Sequence, residues 1–211
     1  MKTIAIDGDG VLLDHNAAYA HAWHRAFGEL PALRNPNAYW PMERWAVQRL
    51  TGTSLERLRA AFNEDFWSTI PAVPGALEAC ELLAGLGYEL VCVTALDERF
   101  SGARARNLQS LGFPIARVIT TDNIAATRSP KAEALNTLKP VAFVDDYAPY
   151  LVGVDSSIHL ALIMRDSDGS PNTGELLQLP DSQHADLWDF AKWWTPAEQH
   201  AGLLEPYAIK L

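Results

Sequence analysis

Two aspartates one residue apart, Asp7 and Asp9, follow the apolar run Ile4-Ala5-Ile6 and sit among glycines in Asp7-Gly8-Asp9-Gly10-Val11. A strand sends successive side chains to opposite faces. A chain that turns at Gly8 and Gly10 can instead bring both carboxylates to one pocket. Two like charges that close are costly unless a cation or a shared proton relieves them, which points to Mg²⁺ and carboxylate chemistry. Taken alone, the stretch reads equally well as a strand ending in an acidic turn, so the decision rests on what lies downstream. The run Glu89-Leu90-Val91-Cys92-Val93 delivers Thr94, whose hydroxyl, with the N–H of Ala95, could hold a phosphate oxygen. The run Val141-Ala142-Phe143-Val144 delivers Asp145-Asp146. Ser129-Pro130-Lys131 puts a lysine at the start of a helix, where free N–H groups also favour anions. Pro130 marks that helix start and favours Lys131 over the neighbouring Lys139.

These groups need a frame that gathers them. Strand-like runs recur at Thr3–Ile6, Glu89–Thr94, Val118–Thr121, Val141–Val144 and His159–Met164, with helical patterns at Gly75–Leu86, Arg99–Leu111 and Lys131–Leu138. Strands alternating with helices predict parallel pairing through right-handed crossovers, hence an α/β fold with a doubly wound parallel sheet. In such a sheet ligands bind beyond the carboxyl ends of the strands, where the acids, the threonine and the lysine all fall. The interval from Asp14 to Pro74 carries no strand signal. Helical pieces are expected at Asn16–Phe27, Met42–Leu50 and Ser54–Trp67, with Thr53 and Glu56 at capping-box spacing. It reads as a helical insertion between the first two strands. The tail holds a polar loop, Asp166–Thr173, and a Trp-rich stretch, Leu187–Trp194, expected to pack on the core or to form a subunit contact.

In this order and spacing the motifs resemble those of the haloacid dehalogenase (HAD) superfamily across residues 3–165. Asp7-Gly8-Asp9-Gly10-Val11 matches its first motif, Val91-Cys92-Val93-Thr94 its second, Lys131 its third and Asp145-Asp146 its fourth. The resemblance implies a HAD-like Rossmannoid core over 1–13 and 75–211 and a small helical cap over 14–74. It also implies roles. Asp7 would be the nucleophile that forms an aspartyl-phosphate, and Asp9 the acid and then the base. Thr94, Ala95 and Lys131 would hold the phosphoryl group. Mg²⁺ would be bound by Asp7, Asp146, the Asp9 backbone carbonyl and, directly or from behind, Asp145. One departure stands out: Gly8 occupies a position the family often fills with a larger apolar residue, which either loosens the loop or leaves room beside Asp7.

Within the family, Asp9 speaks for phosphate over halide, since a halide leaves without a proton. The interval Asp14–Pro74 contains no lysine, which argues against a phosphonatase that forms a Schiff base from its cap. The expected protein is a HAD-like phosphatase hydrolysing a small phosphomonoester of nucleotide or sugar phosphate type. A phosphomutase or a non-catalytic HAD-fold binding protein are the alternatives, the latter disfavoured because all four acids are present. Tyr19, Trp23 and Phe27 repeat at helical spacing, and Tyr39, Trp40, Trp45, Phe62, Phe66 and Trp67 follow. They read first as the insertion's own core and second as rings that stack on a substrate. His21 and His24 have loose metal-pair spacing without a third ligand and read as surface or hinge residues.

Bulk properties agree. The net charge of −9 argues against nucleic-acid polymers as partners. Cys80 and Cys92 are too few for a disulfide framework and read as buried thiols. No segment has the length and apolarity of a membrane span, and Met1-Lys2-Thr3-Ile4 shows no signal-peptide pattern. A cytoplasmic monomer or homodimer that touches no membrane is the expectation.

Overall fold

The computed structural model of the chain describes residues 1–121 and 129–195; the end of the expected core segment, 196–211, lies outside them. The first strand, β1 (Thr3–Ile6), turns Ile4 and Ile6 to one face and Ala5 to the other, as a two-residue period requires. It is followed by α1 (His15–Phe27), α2 (Pro41–Arg44), α3 (Gly52–Ala61) and α4 (Glu64–Ser68), and then by α5 (Ala76–Gly85) and β2 (Glu89–Ala95). The remaining elements are α6 (Ser101–Ser110), β3 (Ile115–Thr121), α7 (Ala132–Leu138), β4 (Ala142–Asp145), β5 (His159–Ile163), β6 (Ser182–His184) and α8 (Leu187–Trp194). The six strands form one sheet in the order β3-β2-β1-β4-β5-β6, and every pairing in it is parallel. The chain is thus a doubly wound α/β protein, as its alternating pattern implies.

The sheet is apolar on both faces. Ile4 and Ile6 join Leu90, Cys92, Ala142 and Val144 in one cluster, and Ala5, Val91, Val93, Phe143, Leu160 and Leu162 join another. The first cluster continues through Tyr19, Leu58 and Phe66 of the inserted helices, so the insertion and the sheet share one core. Cys80 and Cys92 are free and buried, and burial pushes the Cys92 thiol up to about 12. Among the described residues no helix is long and apolar enough to cross a membrane.

Several local expectations are corrected. The helix expected over Met42–Leu50 stops at Arg44. Trp45 is extended, its indole donates to the Asn16 carbonyl at 2.8 Å, and Ala46 N–H donates to the Ala32 carbonyl at 2.9 Å, so tertiary hydrogen bonds override helical spacing. The helix expected over Ser54–Trp67 is two helices, broken where the Asn63 side chain accepts the Phe66 N–H at 3.1 Å. The Thr53–Glu56 capping box does not form, because α3 already begins at Gly52 behind Thr51. β3 begins earlier than Val118, at Ile115. β6 carries no apolar alternation and gives no strand signal.

The aromatic residues of the insertion divide. Trp23 packs on Phe27 at 4.6 Å between centroids, and Phe66 takes Phe62 and Trp67 edge-on at 4.8 Å each. Phe66 is 1% exposed at the centre of this group. Phe66→Ala should therefore lower stability by about 3–5 kcal/mol, read as a shift of the denaturant midpoint with an unchanged slope.

Candidate active site

The strand order reverses between β1 and β4, the point at which a doubly wound sheet opens a crevice at its carboxyl edge. Register brings the chemistry together there. Ile6 pairs with Val144, and the Asp7 N–H donates to the Val144 carbonyl at 2.9 Å, so Asp7 and Asp145 leave adjacent strands side by side. After Asp7 the chain folds back at once: Leu12 and Leu13 N–H groups donate to the Gly8 carbonyl at 3.1 and 2.8 Å. Gly10 has φ 90°, and a Cβ there would collide with the Asp146 carboxylate and stand 2.7 Å from Arg165 Nε. A Cβ at Gly8 would come within 3.0 Å of Thr94 Oγ1, so the glycine leaves room for the end of β2 to approach the loop.

The residues assigned to the site from the sequence meet here. Asp7, Asp9, Thr94, Ala95 and Asp146 line one cavity of about 710 Å³, and Tyr39, Trp40 and Trp67 of the insertion stand in its wall. Lys131 and Asp145 lie fully buried behind it. The Lys131 ammonium donates to Asp7 Oδ1 and, at 2.7 Å, to Asp145 Oδ2, while Asp145 Oδ1 accepts the Tyr147 N–H at 2.9 Å. One oxygen each of Asp7, Asp145 and Asp146 lies within 4.8 Å of the others. The Asp9 carboxylate stands outside that cluster and is held by Arg104 Nη2 at 2.7 and 2.9 Å. Lys139 adopts a left-handed conformation at the C-terminus of α7 and takes no part. His21 and His24 are exposed on α1.

The charges are tightly coupled. Burial raises the Asp7 carboxyl well above the ordinary range; Lys131 opposes this, and Asp145, Asp146 and Asp9 add to it. Burial likewise lifts Asp145 to about 6 against the pull of Lys131. Burial works against the Lys131 ammonium, but Asp145 and Asp7 outweigh it and raise its pKa. Burial would raise Asp9 too, yet Arg104, with help from His15, brings it below its usual value. The three-aspartate cluster is short of positive charge. Its donors are hard carboxylate oxygens, and neither Asp7 Oδ2 nor Asp146 Oδ1 is the oxygen taken by Lys131 or Arg165. That donor set fits a Mg²⁺-like ion.

The sequence reading missed four contributors. Arg165 lies two residues beyond the end of β5 and binds Asp146 Oδ2 through Nε at 2.5 Å; the strand-end rule that picked out the aspartates extends to it. Tyr39 donates its hydroxyl to the same oxygen at 3.1 Å, and Asn172 Nδ2 donates to the Asp146 carbonyl at 2.8 Å. Nothing local marks either one. Arg104 shares the buried face of α6 with Asn107 and Leu108, and a cation on that face was the available signal.

No family model matches the sequence, and no curated protein matches it at a significant level. Solved structures do share its fold. A HAD-family hydrolase from Deinococcus radiodurans R1, solved with bound phosphate and sodium, is similar over 98% of this chain and 98% of its own, with TM-score 0.63 and 16% identity. A protein from Thermotoga maritima named as a β-phosphoglucomutase is similar over 92% of this chain and 98% of its own, with TM-score 0.60 and 18% identity. An L-2-haloacid dehalogenase from Xanthobacter autotrophicus, solved with chloropropionic acid covalently bound, is similar over 92% and 98%, with TM-score 0.54 and 14% identity.

Two substitutions test the geometry without any ligand. Lys131→Met should cost about 3–5 kcal/mol, because it strands two buried carboxylates without their cation. Gly10→Ala should also lower the melting temperature, through strain at positive φ and the clash with Asp146. Thermal unfolding followed by circular dichroism reads both.

Proposed function

The chain has the fold of the haloacid dehalogenase superfamily, and on that premise we propose that it is a Mg²⁺-dependent phosphomonoester hydrolase acting through an aspartyl-phosphate. Its substrate is a small phosphorylated metabolite of nucleotide or sugar phosphate type. The observation that carries this reading is the convergence of Asp7, Asp145 and Asp146 around Lys131, with Asp9 and Thr94 on the same cavity. Asp7, Asp146, the Asp9 carbonyl and Asp145 would hold the ion, which when bound offsets negative charge on the phosphoryl group.

Lys131 holds Asp7 through Oδ1 and orients its carboxylate to attack phosphorus. The bond from phosphorus to the leaving oxygen breaks, and Asp9, once it has taken up a proton beside the negatively charged phosphoryl group against the pull of Arg104, gives that proton to the leaving oxygen. Asp9 then takes a proton from water as the water attacks the aspartyl-phosphate, releasing phosphate and restoring Asp7. Thr94 Oγ1 and the Ala95 N–H keep the transferring group in line. Residues 14–74 act as the cap, and Tyr39, Trp40 and Trp67 in the cavity wall support that role. Closure there excludes water and selects the leaving group.

Asp9 supports phosphate over halide as the group displaced, and the four retained carboxylates support an enzyme over a binding scaffold. A mutase uses the same residues but returns the phosphoryl group to its product. The deciding experiment is Mg²⁺-dependent phosphate release from nucleotides, sugar phosphates, phosphoglycolate and para-nitrophenyl phosphate. Turnover by the wild type and its loss to background in Asp7→Asn are expected. Isomerised sugar phosphate without free phosphate would instead identify a mutase, and no reaction across the panel would defeat the hydrolase reading.

A further inference from the structure

Arg104 is the largest fully buried side chain of the protein's described residues, with none of its surface exposed. It comes from the buried face of α6 and lies against the first loop, where a Cβ at Gly8 would stand 3.5 Å from Arg104 Nη1, an ordinary contact. A single nitrogen, Nη2, donates to both Asp9 oxygens at 2.7 and 2.9 Å. Nε and Nη1 are buried with no protein partner among the described residues. A buried guanidinium is expected to fill its donor fork, so leaving two donors unmatched is costly. The Trp67 ring covers the group, with the guanidinium carbon 5.3 Å from its centroid. The helix that bears it is held to the insertion by Asn107 Nδ2, which donates to the Ile70 carbonyl at 3.0 Å in a buried position. Asp9 lines the cavity whereas Arg104 does not. The arginine therefore reaches the reacting groups only through Asp9.

We propose that Arg104 is a positioning residue for Asp9: it fixes the orientation of the carboxylate that moves protons, with Trp67 of the insertion seated over the clamp. This rests on the phosphatase reading and adds to it. A buried ion pair whose arginine satisfies only part of its fork is poor evidence of a device for stability. A carboxylate gripped through both oxygens by one nitrogen is held in a single rotamer, and proton transfer requires the carboxylate to stay within hydrogen-bond reach of the leaving oxygen and then of water.

The test separates the steps that Asp9 serves from the one it does not. Nitrophenolate leaves without a proton, so single-turnover attack on para-nitrophenyl phosphate, with enzyme in excess, needs Asp7 but little from Asp9. Steady-state turnover of the best alkyl phosphate needs Asp9 twice. Arg104→Met should lower kcat for the alkyl phosphate by about tenfold or more with KM within about twofold, and leave nitrophenolate release within about twofold. Asp9→Asn should lower kcat for the alkyl phosphate at least as far, and the double variant should lose no more than Asp9→Asn alone. Arg104→Lys keeps the charge and one donor; it should recover part of kcat, and it carries the same comparison if Arg104→Met does not fold. Equal loss of attack and turnover, or losses that multiply in the double variant, would make Arg104 merely structural. A raised KM with kcat unchanged would make it a substrate-binding group. Either result overturns the proposal while the phosphatase reading stands. A wild type that hydrolyses nothing removes the reading and the proposal together.

Discussion

A lysine ammonium buried between two aspartates is the constraint on which the site depends. Lys131 is held by Asp7 from β1 and Asp145 from β4, with the rings of Phe143 and Tyr150 at 5.5 and 4.7 Å from its nitrogen. None of the three charges is tolerable there alone, because moving an ion out of water costs several kcal/mol even after the protein relaxes. Together they are acceptable only if β1 and β4 lie side by side in the register that aligns Ile6 with Val144. A slip of one residue would turn Asp7 to the opposite face of the sheet. The central strand pair and the charge cluster therefore enforce each other.

Around this centre the two other carboxylates of the site are each paired with an arginine. Arg165 serves Asp146 and Arg104 serves Asp9, one from the end of β5 and the other from α6. The insertion is stitched to the same ring. Tyr39 bonds Asp146 through its hydroxyl, and its N–H donates to the Asp168 carbonyl at 2.9 Å. Arg44 pairs with Asp166 at 3.1 Å, and Asn35 Nδ2 donates to Asp168 Oδ2 at 2.9 Å. Segments far apart in sequence thus meet over the cavity and limit how the aromatic wall can sit above Asp146.

The parts legible from sequence were those set by strand period and by what each strand end delivers. Asp7, Thr94, Asp145 and Arg165 all stand at carboxyl ends, and the first three were found by that rule. The parts that were not legible depend on contacts between distant segments. Trp45 leaves the helix because Asn16 accepts its indole N–H, and nothing in Met42–Leu50 announces that bond. Asn63 breaks the second helix by capping the next, a role its neighbours do not signal. β6 is a three-residue edge strand held by pairing with β5. The insertion's aromatics could be assigned as a group but not individually: Phe62 and Phe66 pack inward while Trp40 and Trp67 face the cavity, and helical spacing does not separate them.

The placement of β1 has a consequence for how the chain is made. Its neighbours β2 and β4 lie far downstream, and Lys131 is 124 residues from the aspartate it binds. Synthesis proceeds from the N-terminus at roughly 5–20 residues per second, so the emerging chain carries Asp7 for many seconds before its ammonium partner exists. During that interval β1 can pair on one edge only and leaves the other open. Such late closure is characteristic of parallel sheets and makes their folding slow. The pairing of β1 with β4 therefore waits for the second half of the chain, and the Asp7 loop is locked in place only when its distant lysine leaves the ribosome.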